Sequence, residues 1–212
     1  MADILIRALK ETIIMVFAST LFSIILGFIP AIILTLTAKD GLKPNRVVYS
    51  ILDFIVNTLR SFPFVILMVI IIPFTRLLVG KTYGTAAAIV PLTIAAAPFV
   101  ARIIESSLRE VDKGVIEAAK SFGASNTQII FKVMLKEAIP SIVSGITLTV
   151  ISIVGYSAMA GTLGGGGLGD VAIRYGYQRF ETNTMIITCI ILIIVVQVLQ
   201  ILGNYFYNKL SK

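Results

Sequence analysis

The chain has 212 residues, of which 57% are hydrophobic and only 14% charged, and it carries a net charge of +7. A soluble domain holds about a quarter charged residues, so a mean hydropathy of +0.97 excludes an ordinary water-soluble fold. There is no histidine and one cysteine, Cys189, which argues against a disulfide framework and removes the commonest metal ligand and general base, so no metal site is expected.

The positive charge is not read as a nucleic-acid surface, because the lysines and arginines sit between apolar runs, as they do in the loops of membrane proteins. The length allows about five crossings of about 20 apolar residues each. Five apolar runs are visible. The first spans about Ile13 to Thr37 and contains Gly27 and Pro30. It is too long for a signal-peptide core and no small-residue cleavage site follows it, so it reads as a retained helix. The second spans about Val47 to Phe74, amphipathic at first and solidly apolar from Phe64 to Ile72. Its Asp53, Asn57 and Arg60 share one helical face, suited to an interfacial turn or to a role in a pathway. The third, about Tyr83 to Ile104, is rich in alanine and holds Pro91 and Pro98. The fourth spans about Ile142 to Ala160 and the fifth about Met185 to Tyr205. Helices are predicted throughout, because hydrocarbon cannot satisfy an open backbone. The expectation is an all-α, polytopic membrane protein of about five transmembrane helices, a single domain over 1–212 in the cell membrane.

Basic residues set the orientation. With the N-terminus outside and the C-terminus cytoplasmic, the inner side carries eleven lysines and arginines, at Lys39 to Arg46, Arg102 to Lys136 and Lys209 to Lys212. The outer side then carries six, with Arg60 unassigned, a bias in the direction of the positive-inside rule.

The longest loop, about 105–141, is polar yet periodic: Val115, Ala118, Ala119, Phe122, Ile129, Ile130 and Val133 recur at helical spacing. Two short helices broken at Gly123 are predicted there, with Ile129 to Phe131 anchoring the second on the bundle. Ala118 and Ala119 are small enough to sit deep in a partner's groove, Gly123 permits a turn without a side-chain clash, and Glu117 offers a carboxylate. Gly161 to Thr184 is glycine-rich, then polar.

The run Glu117-Ala118-Ala119, three residues, Gly123, nine residues, then Val133 and Leu135, resembles the EAA loop of ATP-binding-cassette importer permeases. Lys136 stands where that pattern has proline, and Pro140 is expected to take over part of the helix-breaking role. Leu59 to Phe64, Gly155 to Gly161, Gly164 to Asp170 and Arg174 to Phe180 extend the resemblance, and they look like the methionine-uptake permease family. The resemblance implies a homodimeric permease in membrane lipid with two cytoplasmic ATPase subunits and an extracytoplasmic methionine-binding lipoprotein. Glu117, Ala118, Ala119, Gly123, Val133 and Leu135 would couple to the ATPase, which would hold the ATP and magnesium. This chain has no phosphate-binding loop of its own, no catalytic residue and no cofactor by that reading.

Ser152, Tyr156, Ser157 and Met159 are candidates for the substrate path, since a thioether suits soft sulfur and aromatic contacts. Packing of helix against helix is the favoured reading of them. Gly164, Gly165, Gly166, Gly167, Gly169 and Asp170 are candidates for an outer gate that meets the binding protein. Gly164, Gly166 and Gly169 fit a dinucleotide fingerprint, but no strand–helix context surrounds them. Gly167-Leu168-Gly169-Asp170 also resembles an aspartyl-protease motif. Such an enzyme needs a second aspartate to share the proton, and Asp53 is expected at the opposite membrane face. A permease for another polar amino acid is the first alternative. An ATP-independent secondary transporter is the second, although the spans are nearly free of acidic residues and no inverted repeat is visible.

Overall fold

The computed structural model describes residues 1–211, and the described residues form helices and short connections. The helices are α1 (Ala2–Thr37), α2 (Arg46–Arg60), α3 (Phe64–Ile70), α4 (Ile72–Val79), α5 (Thr85–Arg109), α6 (Lys113–Ser121), α7 (Asn126–Thr162), α8 (Gly167–Val171) and α9 (Thr182–Leu210). A π-helical stretch, Ile129–Met134, lies inside α7, and a second, Ala172–Tyr177, follows α8. Four helices, α1, α5, α7 and α9, are long and apolar enough to cross a membrane; α2 and α3 together make the fifth candidate.

The predicted second span is not one rod. Between α2 and α3 the chain turns by 101°. Pro63 has no N–H to give to the carbonyl of Leu59, so the helix stops, and α3 restarts immediately after the proline. The two predicted loop helices are also corrected. Only α6 is a separate short helix; the second is the first part of α7, which begins at Asn126 rather than Ile142. Pro140 does not break α7. The carbonyl it frees belongs to Lys136, in an exposed turn where water can satisfy it. The loop's outer limits, 105 and 141, fall inside α5 and α7. The first span starts eleven residues earlier than its apolar run, at Ala2, because Ala8 is buried and Leu5 and Leu9 pack on the small cluster of Leu168 and Val171.

α1 and α5 form the central seam. One core cluster joins Met15 and Val16 to Ala88, Leu92, Ile153 and Phe64; another joins Ala31 and Leu34 to Val100, Ile104, Leu108, Ile129 and Ile130. Gly27 sets the seam's closest approach: a Cβ there would lie 2.6 Å from the Ala97 carbonyl oxygen and 2.9 Å from the Ala101 nitrogen. Lipid gives helices no hydrophobic drive to associate, so small residues that admit close backbone contact carry the packing. The Ser23 hydroxyl adds a bond across the seam to the Thr93 carbonyl, 3.2 Å.

Gly27→Leu is expected to wedge α1 from α5 and to destabilise the protein by about 1–3 kcal/mol or more. A thermal unfolding midpoint in detergent that matches wild type would contradict this packing.

Candidate functional site

The elbow between α5 and α7 is built from three local devices. The Asp112 carboxylate accepts from the N–H groups of Gly114 (2.7 Å) and Val115 (3.3 Å) and so caps α6 at its start. At its end, the Gly123 N–H donates to the Lys120 carbonyl and the Ala124 N–H to the Ala119 carbonyl. That pattern needs a left-handed residue after the helix, and Gly123 supplies it with φ of 75°. Ser125 and Gln128 then form a capping box that starts α7. The break predicted at Gly123 is therefore observed, with a defined geometry on each side.

α6 buries one edge only. Ile116 and Ala119 pack with Leu42 and Ala124 against the inner core cluster. Glu117 and Ala118 face out, and Phe122 is 90% exposed. The apolar periodicity of the loop thus divides: Ile129 and Ile130 are buried and anchor α7, while Phe122 projects from the tip. Phe131 is partly exposed and meets Phe28 of α1 at 6.3 Å between ring centres. Val133 and Leu135 lie half-buried in the root of α7, away from the exposed face of α6. Phe122 is the functional candidate that sequence reasoning missed, because at helical spacing it looked like one more core residue.

The candidate path residues fall on different sides of α7. Ser152 and Met159 are exposed, in line with exposed Ser144, Leu148 and Gly155. The Ser152 hydroxyl is satisfied by the Leu148 carbonyl, 3.0 Å. Tyr156 is half-buried and stacks on Phe64 of α3 at 5.0 Å. Ser157 points inward, buried, with its hydroxyl on the Val154 carbonyl.

The glycine segment folds back into the bundle. Gly165, Gly167 and Gly169 are buried and Gly164 is exposed. The Glu11 carboxylate accepts from the Gly167 N–H, the Thr12 hydroxyl accepts from the Leu168 N–H, both at 2.9 Å, and the Gly84 N–H donates to the Gly164 carbonyl. A Cβ at Gly169 would collide with the Ala158 backbone of α7. Asp170 is held by Arg174. The sequence displayed Glu11 and Thr12 but nothing to say that their partner lies 156 residues away.

A charged cluster joins α2 to α5. Arg102 donates to Glu105 at 2.6 Å, to Asn57 at 3.0 Å and to Asp53. Tyr49 donates to Glu105 at 3.1 Å. Arg109 reaches Glu105 at 3.5 Å and Asp40 at 3.1 Å. Glu105 is 1% exposed. Of the predicted face, Asp53 and Asn57 enter this cluster, whereas Arg60 lies over the Phe99 ring instead. Asp53 and Asp170 each have an arginine of their own, which does not suit a proton-sharing pair. Arg102→Met would leave buried Glu105 with the Tyr49 hydroxyl and, for a cation, only the more distant Arg109. The expected loss is about 3–5 kcal/mol, partly recovered in Arg102→Met/Glu105→Met; equal thermal midpoints for the two variants would refute it.

Residues 23–212 match the family described as binding-protein-dependent transport system inner membrane component. The chain is 51% identical over 210 residues to the probable D-methionine transport system permease protein MetI of Vibrio cholerae, covering 99% of this chain and 93% of that one. It is 45% identical over 180 residues to the methionine import system permease protein MetP of Bacillus subtilis, covering 85% and 81%. Among solved structures it superposes on a chain of the MetNI methionine ABC transporter, described as inward facing, with a TM-score of 0.98. The identity there is 41%, and the match covers 100% of this chain and 98% of that one.

Proposed function

Because this chain belongs to the family of binding-protein-dependent transport system inner membrane components, we propose that it is the permease subunit of an ATP-driven importer whose substrate is methionine. The observation that carries the reading is the elbow: an EAA-type loop folded as a capped, outward-facing helix with Glu117, Ala118 and Phe122 on its free side. Relatives of this identity that are named for methionine transport support the substrate. The outward-facing elbow, suited to docking on a partner, favours an ATP-driven importer over an ATP-independent carrier.

Two copies enclose the path, and two ATPase subunits, which hold the ATP and magnesium, receive α6. An extracytoplasmic lipoprotein delivers methionine. The chain has no role in hydrolysis. The elbow and the C-terminus face the cytoplasm and the N-terminus faces outward, in keeping with the basic residues around α6. Phe122 fills an apolar hollow of the ATPase, the small Gly114 and Ala118 allow close approach, and Glu117 pairs with a donor on its rim. Gly123, Val133 and Leu135 carry the displacement into α7. Along α7, Ser152, Tyr156 and Met159 border the path, where a thioether can slide past soft and aromatic surface without a deep well. Ser157 shapes the helix behind them. The glycine segment closes the outer mouth, with exposed Gly164 on the binding-protein side and buried Gly165, Gly167 and Gly169 packed behind it, while Gly166 and Asp170 lie between.

The test is uptake of labelled methionine by proteoliposomes holding the whole transporter. Gly123→Arg, at a position whose backbone favours glycine, should cut ATP-driven uptake by about tenfold or more while membrane insertion persists. Phe122→Asp should act in the same direction by placing a charge in an apolar contact. Normal uptake by both variants would remove the coupling role.

A further inference from the structure

Arg60 stands apart from the other charges near the middle of the bundle. Arg102 and Arg109 are both matched to carboxylates, whereas Arg60 forms no ion pair and no hydrogen bond among the described residues. Its Nε is buried without a partner, as is that of Arg102, but here the terminal nitrogens have none either, and the guanidinium lies 5.0 Å from the centre of the Phe99 ring. Phe99 is ten residues from the Arg109 end of α5, hence about 15 Å from that end of a helix spanning the membrane. A cation at such depth is costly, and one kept there without an anion marks a functional position.

The backbone beside it is irregular and uncovered, although the Ser61 and Phe62 N–H groups donate to carbonyls of the last turn of α2. Arg60 ends α2, and Ser61, Phe62 and Pro63 are all exposed where the chain turns by 101°. Irregular backbone at membrane depth persists only where protein covers it or where it borders water. The bend therefore cannot face lipid. On its other side, Phe64 opens α3 and stacks on Tyr156, one of the path candidates of α7. An unmatched guanidinium and an aromatic ring thus flank one open turn.

We propose that Arg60 receives the carboxylate of the amino acid in transit, with the apolar end of the substrate toward Tyr156 and Met159. This rests on the import reading above. The Phe99 ring takes one face of the guanidinium and leaves its terminal nitrogens to bind an anion. A single arginine, with no second cation recruited to it, holds a carboxylate without trapping it.

The experiment uses the complete transporter in proteoliposomes, with uptake normalised to inserted complex. Arg60→Met should lower methionine uptake by about tenfold or more, and Arg60→Lys should restore part of it, because the lost contact is charge-assisted. Solid-state NMR with 1-¹³C-methionine and ¹⁵N-guanidinium arginine should show carboxyl–guanidinium dephasing in wild type that Arg60→Lys removes. Uptake by Arg60→Met within about twofold of wild type would overturn the assignment. So would wild-type complex with no such dephasing, the result expected if an anion of lipid or of the second copy occupies Arg60 instead, or dephasing that survives Arg60→Lys, which would place the contact at another arginine. A wild-type transporter that imports a different amino acid but not methionine would sink the substrate reading. The same arms, run with that amino acid labelled at its carboxyl, would still judge Arg60.

Discussion

The constraint that orders this molecule is that hydrocarbon offers a backbone amide nothing to bond with. It compels the four long helices, and it turns each interruption between them into a feature needing its own partners. The elbow, at the exposed end of the bundle, closes its own amides with Asp112, the Gly123 turn and the Ser125–Gln128 box. The glycine segment meets it with Glu11 and Thr12 of α1. The bend after Arg60 meets it through Ser61 and Phe62, which donate to carbonyls of α2, and leaves the Arg60 side chain unmatched.

Packing follows a matching logic. Without water to drive helices together, α1 and α5 meet because Gly27 and the alanines of α5 let their backbones approach. Next to that apolar seam, the cluster of Arg102, Asp53, Glu105 and Tyr49 ties α2 to α5 around the buried carboxylate of Glu105, a charge that burial would make costly if left alone. α9 contributes little buried surface: among its residues, only Thr184 and Thr188 are buried.

Much of this was legible beforehand. Hydropathy alone marks the membrane and the helical class, and the spacing from Glu117 to Gly123 marks the elbow. What stayed hidden depends on residues far apart in the chain. Nothing adjacent to Asp53 indicates Arg102, 49 residues on, and nothing adjacent to the glycines indicates Glu11. The second span reads as continuous in the sequence because apolar content survives a proline, whereas the helical axis does not. Phe122 looked like core because periodicity reports a face and not which side of it is covered. Pro140 misled in the opposite sense, since a single missing N–H near an exposed turn is too small a defect to stop a helix of 37 residues.

That helix has a mechanical meaning. α7 is one continuous shaft of about 55 Å, with a π-helical stretch near its base, rooted in the elbow and ending where the glycine segment folds against it. Stiff capping at its base leaves no slack to absorb a push. Under the proposed coupling, tilting the base would swing the far tip, so that constriction at one mouth and dilation at the other would be two readings of a single rotation.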